Sequence, residues 1–148
     1  MTRGDTDVVK ASIEAFNRRD MPAFLELIHP DVEWVPLRAV LDGDVYRGHE
    51  GIHRFIADMD DDIEHMQVRV DEVLEVADNV VVHGAIVGKG RGSGMDLDLE
   101  LGWVIHVRSG RVDYLRAFSD RADARKAAEA ARAGVELPLG PPAPALDS

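Results

Sequence analysis

Residues 95–108, Met-Asp-Leu-Asp-Leu-Glu-Leu-Gly-Trp-Val-Ile-His-Val-Arg, constrain the fold more than any other stretch of the chain. Odd positions carry Leu97, Leu99, Leu101, Trp103, Ile105 and Val107; even positions carry Asp98, Glu100, Gly102, Val104, His106 and Arg108. A period of two sustained over this length is a β-strand signal, because successive side chains point to opposite faces of a sheet. One face is wholly apolar and includes a Trp; the other is mixed. The apolar face requires a cover, and the cover decides whether it closes a core or a ligand cavity.

The rest of the chain supplies that cover. Val9, Ile13 and Phe16 recur at helical spacing within residues 5–19, with Ser12 on the same side and Asp5 or Thr6 as cap. Asp20 caps a second, short helix with Pro22 in its first turn and Phe24, Leu25 and Ile28 as its stripe; His29-Pro30 ends it. Asp31 to Leu37 alternates as a short strand whose Pro36 suggests an edge or a bend. Residues 38–47 read as a loop or hairpin around Asp42-Gly43-Asp44. Ile52, Phe55, Ile56 and Met59 mark a third helix ending in the acidic run Asp58 to Glu64.

Residues 65–76, 80–91, the 95–108 stretch and 111–118 then form a meander, with turns at Asp78-Asn79, Gly90 to Gly94 and Ser109-Gly110. A last helix, Ala122 to Ala133, follows Asp120. Helices and strands segregated in this way predict an α+β fold, a curved antiparallel sheet wrapped around three N-terminal helices. Residues 1–133 read as a single domain and 134–148 as an extended Pro-rich tail.

The chain lacks cysteine, which excludes disulfides, thiolate catalysis and Cys-based metal sites. Its formal net charge of −11 repels phosphate backbones and anionic lipid, so no nucleic-acid partner is expected. No apolar run approaches the roughly 18 residues of a membrane span. The first residues show no signal-peptide pattern either, and a cytoplasmic location is expected.

Several stretches carry a family resemblance: Phe16-Asn17-Arg18-Arg19-Asp20, Tyr46 to Ile52, Gly90 to Gly94, Ser109 to Val112, and Phe118-Ser119-Asp120-Arg121. In order and spacing the chain resembles the SnoaL-like polyketide cyclase family of the nuclear transport factor two-like superfamily over about residues 6–130. The resemblance implies a cone-shaped, ketosteroid isomerase-like fold with a ligand cavity between sheet and helices. It also implies a homodimer through the outer sheet face, here Val104, His106, Tyr114 and Phe118. By analogy with limonene epoxide hydrolase, the cavity face receives Leu99, Leu101 and Trp103, then Val82, Gly84 and Ile86, then Leu115 and Ala117. One scaffold of this kind hosts many activities, so function has to come from the site.

The catalytic patterns of such relatives are missing here. Where epoxide hydrolases place an Asp–Arg–Asp set, this chain has Gly84, Ile86 and Ala117; where ketosteroid isomerases place a base, it has Pro36. The nearest carboxylate to a SnoaL-type acid/base is Asp120, which also fits a helix cap. His49 and His53, four apart on the third helix, are candidate acid/base groups because imidazole titrates near neutrality. The alternative is that His49 merely opens the helix and His53 is half-exposed. Phe16, Trp34, Tyr46, Ile52 and His65 join the sheet residues as expected pocket contacts, the aromatic rings suiting a flat apolar ligand.

No metal site is expected: Glu50 points away from the His49–His53 pair. The acidic run lacks calcium-loop spacing and reads as a solvated helix end. Gly90 to Gly94 reads as a flexible hairpin with Arg91 exposed, and Arg116 with Glu100 as a cross-strand ion pair or dimer contact. The expected function is binding of a small hydrophobic molecule. If the protein is an enzyme, cofactor-free isomerisation, cyclisation or dehydration of a polyketide- or terpenoid-like substrate is expected; the alternative is a non-catalytic binding or assembly module.

Overall fold

The 95–108 alternation forms β5 (Asp96–Arg108), an interior strand of a six-stranded sheet. A computed structural model describes residues 4–37, 43 and 45–131. Their elements are α1 (Asp5–Arg18), α2 (Met21–Glu26), β1 (Ile28–Val35), β2 (Tyr46–Arg47), α3 (Gly48–Asp62), β3 (Ile63–Val76), β4 (Asn79–Gly90), β5, β6 (Arg111–Phe118) and α4 (Arg121–Ala131). The strand order is β2-β1-β6-β5-β4-β3. The pairs within the β3–β6 meander are antiparallel, as expected.

The sheet is not antiparallel throughout: β1 runs parallel to β6. Parallel neighbours need a long crossover, and here α3 and three strands of the meander provide it. Ile28 is a strand residue rather than part of the α2 stripe, and His29-Pro30 lies inside β1 instead of ending a helix. Leu27 closes α2, and its carbonyl accepts the Val112 N–H at 2.8 Å, which starts the pairing with β6. Pro30, with no N–H, sits where the register shifts between Ile28 and Glu33, so no ladder bond is lost to it.

Helix ends follow the expected signals in part. Asp20 Oδ1 accepts the Ala23 N–H at 3.2 Å and caps α2. The cap of α1 is Gly4, without a side-chain bond, while Asp5 and Asp7 lie in the first turn and complement the helix dipole. The turn between β3 and β4 is Ala77-Asp78, because Asn79 pairs with Val76 and Ala77 takes φ 56°. Most of the expected 38–47 loop and the whole 134–148 tail lie outside the described residues.

Curvature of the sheet originates in β3. Its register against β4 slips between Glu64 and Gln67 and again between Val70 and Glu72. A bulge bends a strand and raises its twist. Opposite the two slips, β4 carries Gly88 and Gly84. A Cβ on Gly84 would collide with the Arg69 carbonyl oxygen, and one on Gly88 would stand 2.8 Å from that of Glu64. Only glycine lets the bent strand lie this close.

Helices α1, α2 and α3 pack on the apolar side of the sheet. Val8, Val9, Phe16, Phe24, Ile52 and Phe55 join Val82, Leu101, Trp103, Ile105 and Leu115 in one core. Asn17, at the end of α1, fastens it to the sheet: its amide donates to the Val68 carbonyl at 2.9 Å and accepts the Val68 N–H at 2.8 Å. The other face of the sheet is covered in part by α4. Ala124 and Ala128 pack on Val76, Val81 and Val104, and Gly102 leaves the space beneath Ala124. The mixed even face of β5 therefore has a helical cover at its centre.

Replacing Gly84 with Val should lower the urea midpoint by an amount equivalent to about 1–3 kcal/mol, the usual range for overpacking. An unchanged midpoint would mean that the β3–β4 approach is not a fixed feature of the fold.

Candidate functional site

Between the concave sheet face and the three helices lies a cavity of about 290 Å³. Its floor comes from the odd positions of β5: Leu99, Leu101, Trp103 and Ile105 all reach it. Val82 and Ile86 of β4 extend the floor on one side, and Val112, Leu115 and Ala117 of β6 on the other. The helices contribute Ser12, Ile13 and Phe16 from α1, Phe24 from α2, and Phe55, Met59 and Asp62 from α3. Met66, Val68, Trp34, Pro36 and Leu37 complete the wall.

An aromatic row runs along the helical side. Phe16 and Phe24 lie 5.6 Å apart between ring centres, Phe24 and Trp34 6.1 Å, and Trp34 and Phe55 5.7 Å. The tilted and edge-on geometries are those that aromatic quadrupoles favour. Polar groups on the wall are few. The Ser12 hydroxyl donates to the Val9 carbonyl at 2.7 Å and is thereby committed to its own helix. The Trp34 Nε1 is buried with no hydrogen-bond partner among the described residues. Among the described residues, Asp62 is the one ionisable side chain on the wall, and it is exposed.

The structure therefore brings Phe16, Trp34, Val82, Ile86, Leu99, Leu101, Trp103 and Leu115 to the cavity wall. It does not bring Tyr46, Ile52 or His65. Ile52 is fully buried behind the wall, and Tyr46 packs edge-on against Phe55 at 5.5 Å while its hydroxyl donates to Asp58 at 2.6 Å. His65 is exposed on β3 with φ 56°.

The three expected acid/base groups also lie away from the cavity lining. His49 Nε2 is 2.8 Å from the Ile28 carbonyl oxygen, tying the first turn of α3 to β1. A carbonyl only accepts, so this nitrogen carries the proton. His53 is exposed one turn on. Asp120 is exposed, and its Oδ1 accepts the Ala122 N–H at 2.7 Å at the head of α4.

Asp62 was hidden in the acidic run that reads as a solvated helix end. That reading is too coarse, because Asp58 and Asp60 accept from Tyr46 and Arg19. The signal for Asp62 was its spacing: it is seven residues after Phe55 and three after Met59, hence on the same helix face. The Gly90 to Gly94 hairpin is likewise pinned rather than free. The Arg91 N–H donates to the Asp62 carbonyl at 2.8 Å, and its guanidinium bonds the Asp60 carbonyl and Glu64.

The outer face holds its own polar network. Arg121 donates to Asp71 at 2.7 Å and to the Gly84 carbonyl at 3.3 Å, fastening α4 to the sheet. Hydrogen bonds from Arg69 and then Arg121 hold the Asp71 carboxyl below the usual range. His83 pairs with Glu72 at 3.1 Å and His106 with Asp113 at 2.7 Å. Arg116 does not pair with Glu100. It is buried opposite Val104 with its guanidinium 4.9 Å from the Phe118 ring centre, whereas Glu100 is exposed opposite Ala85.

The SnoaL-like domain model matches residues 9–115. A nuclear transport factor two-like protein of unknown function from Burkholderia pseudomallei is 27% identical, with 82% of this chain and 95% of that one covered and a TM-score of 0.70. TerC, co-crystallised with polyporic acid, is also 27% identical over 83% of this chain and 96% of its own, with a TM-score of 0.68. A candidate polyketide cyclase from Xanthomonas campestris is 23% identical over 80% and 91%, with a TM-score of 0.65, and bears on the fold alone. No curated protein is significantly similar in sequence. No helix among the described residues is long and apolar enough to cross a membrane.

Burial pushes the Tyr114 hydroxyl above its ordinary pKa, and the nearby Arg116 only partly opposes this. The folded state thus favours the protonated phenol. That contribution is fully present below the unfolded pKa of about 10 and is lost as pH rises through the folded one. Tyr114→Phe should flatten the alkaline limb of the stability profile, by up to about 1.4 kcal/mol per pH unit. Denaturant titrations between pH 9 and 11.5, roughly spanning that limb, check it, and superimposable profiles would refute it.

Proposed function

The chain belongs to the SnoaL-like family, and from its cavity we propose that it takes up a flat, hydrophobic small molecule of the polyketide or terpenoid kind. The observation that carries this reading is a cavity of about 290 Å³ whose described wall residues are aliphatic and aromatic apart from Ser12 and Asp62. Ligand pockets run from about 300 to 1,000 Å³, and an apolar cavity of about 150 Å³ already holds benzene. A ligand body of about two fused rings fits this range. The similarity to TerC, which was co-crystallised with polyporic acid, supports a small organic ligand.

Where turnover occurs, the wall directs it towards cofactor-free isomerisation, cyclisation or dehydration of a substrate held in a reactive conformer. His49, His53 and Asp120 are engaged in or exposed on the scaffold and take no part in this reading. The rival is a non-catalytic binding module, favoured by a wall with one ionisable group among its described residues. The two share the cavity and separate on whether bound ligand is recovered changed.

A bicyclic aromatic ligand should raise the thermal midpoint, by the equivalent of about 2.7 kcal/mol at a hundred times its Kd. Ala117 lies opposite Trp103 on the cavity floor. Ala117→Leu should abolish that shift by filling the space, with the protein still folded by circular dichroism; undiminished binding would place the ligand elsewhere. We also propose the homodimer that the resemblance implies. Because α4 occupies the β4–β5 part of the outer face, the contact falls to β6 and β1. Light scattering at micromolar concentration should return twice the monomer mass, and a monomer would remove this element of the proposal.

A further inference from the structure

The cavity has a closed end and an open one, and three wall elements report the same direction. On β5 the wall residues Trp103 and Leu101 are 7% and 1% exposed, whereas Leu99 is 42% exposed. On β4 the wall passes from Val82, fully buried, to Ile86, half-buried; on α3 it passes from Phe55 to Met59 in the same way. Val68, Ile86 and Leu99 are paired in one row across β3, β4 and β5, and this row forms the sheet side of the mouth. Phe24, Trp34 and Phe55 are all buried, so the rings line the inner part.

The apolar wall does not stop at the mouth. The β4–β5 register is unbroken from Trp103 to Asp96, so Leu97 takes the same face as Leu99. It lies about 7 Å further out, two residues along a strand. Leu97 is half-buried, and Met95, the next odd position, is 71% exposed. Opposite Leu97, Gly88 carries no side chain, and Ile63 takes its place, with Cγ2 2.7 Å from where a Cβ would stand. On the other side this stretch of β5 has no described strand neighbour, because the pairing with β6 begins at Gly102 and Phe118. The intervening Asp96, Asp98 and Glu100 take the opposite face, and Lys89 and Arg69 pair with the first two. Leu99, Leu97 and Met95 thus continue the cavity wall as an apolar track on the surface.

The track is too narrow for a protein. A stable protein interface takes about 800 Å² from each partner, far more than one strand end presents. It suits a single hydrocarbon chain. We propose that the ligand is longer than the cavity: a ring body inside bears an uncharged alkyl or prenyl chain that leaves over Leu99 and lies along Leu97 towards Met95. The proposal rests on the hydrophobic-ligand reading of the same cavity. It adds the ligand's orientation, rings inward and chain outward, and its class, an arene or polycycle with an aliphatic tail. Removing one methylene fully from water is worth about fourfold in affinity. A track that covers the chain on one side gives about half of that free energy, hence about twofold per methylene.

The test uses three probes that share one bicyclic body and differ only in chain length: 2-naphthylmethanol, 4-(2-naphthyl)butan-1-ol and 6-(2-naphthyl)hexan-1-ol. Each is titrated calorimetrically into the full chain and into its Leu97→Ser, Met95→Ser and Val70→Ser variants. Val70 is 39% exposed on β3 but lies on neither the wall nor the track, so it reports non-specific binding to exposed apolar groups. The hexanol should bind about thirtyfold tighter than the methanol, at about twofold for each added methylene. Leu97→Ser should reduce that ratio to about fivefold or less. Met95→Ser, a change at the surface, should weaken the hexanol and leave the butanol unchanged, and Val70→Ser should leave all three unchanged. A ratio near unity in the unaltered protein, a ratio that survives both Leu97→Ser and Met95→Ser, or an equal loss in Val70→Ser would overturn the proposal. In those cases binding of 2-naphthylmethanol leaves the cavity reading standing. Failure of all three probes to bind overturns both.

Discussion

The structure depends on how sharply β3 bends over β4. Two register slips put an extra length of backbone into β3, and the backbone of Gly84 and Gly88 gives way beneath it. With a side chain at either place the two strands would have to separate, and the sheet would open towards a plane. The cavity is a consequence of this curvature. A flatter sheet would lie against α1 and α3 with their apolar faces in direct contact, and the space would close. Asn17 then fixes the one edge that the bend leaves exposed to strain, by bonding both main-chain groups of Val68. Loss of that amide would leave a peptide N–H and a carbonyl without their partner, which makes it a larger effect than one hydrogen bond.

The same bend bears on one position, Gly84, where the epoxide hydrolase resemblance would imply a charge. Gly84 stands where an epoxide hydrolase-like arrangement would require a carboxylate or guanidinium, but no side chain of any kind fits against Arg69. The absence of that chemistry is thus a geometric result as much as a chemical one. Ala117, opposite Trp103, is small in the same region of the floor, and its size contributes directly to the space above it.

Much of this was legible in the chain because burial on one face enforces a period of two. The alternation of β5 assigned Leu99, Leu101 and Trp103 to one side, and the structure places all three on the wall. The helical stripes of α1 and α3 were equally plain. What was not legible came from long-range pairing and from polar residues with local uses. Nothing in Ile28 to Val35 announces a parallel partner 80 residues away in β6, roughly the separation of Glu33 and Tyr114. His49 and Asp120 look like acid/base groups in a sequence. In space the first bonds a main-chain carbonyl and the second caps a helix, uses that any histidine or aspartate near an element boundary can have. The cover that α4 gives to the outer face, Val104 included, is not legible because α4, rich in Ala and Arg, carries no strong apolar stripe. Its small Ala124 and Ala128 suffice, since Gly102 and the valines beneath them leave a shallow seat.

Polarity in this molecule is sorted by depth rather than by element. Along α3 alone, the sequence passes from a histidine bonded to the main chain, through rings and a thioether against the cavity, to a carboxylate at the rim. Hydrophobic burial stabilises the inner part regardless of ligand, so it confers affinity without much choice between apolar molecules. Discrimination between apolar molecules has to come from repulsion as well as attraction, from places where a wrong shape clashes with the wall or a wrong polar end loses its hydrogen bonds. In the described wall the fixed shape is that of the ring row from Phe16 to Phe55, whose tilted and edge-on contacts hold each ring against the next.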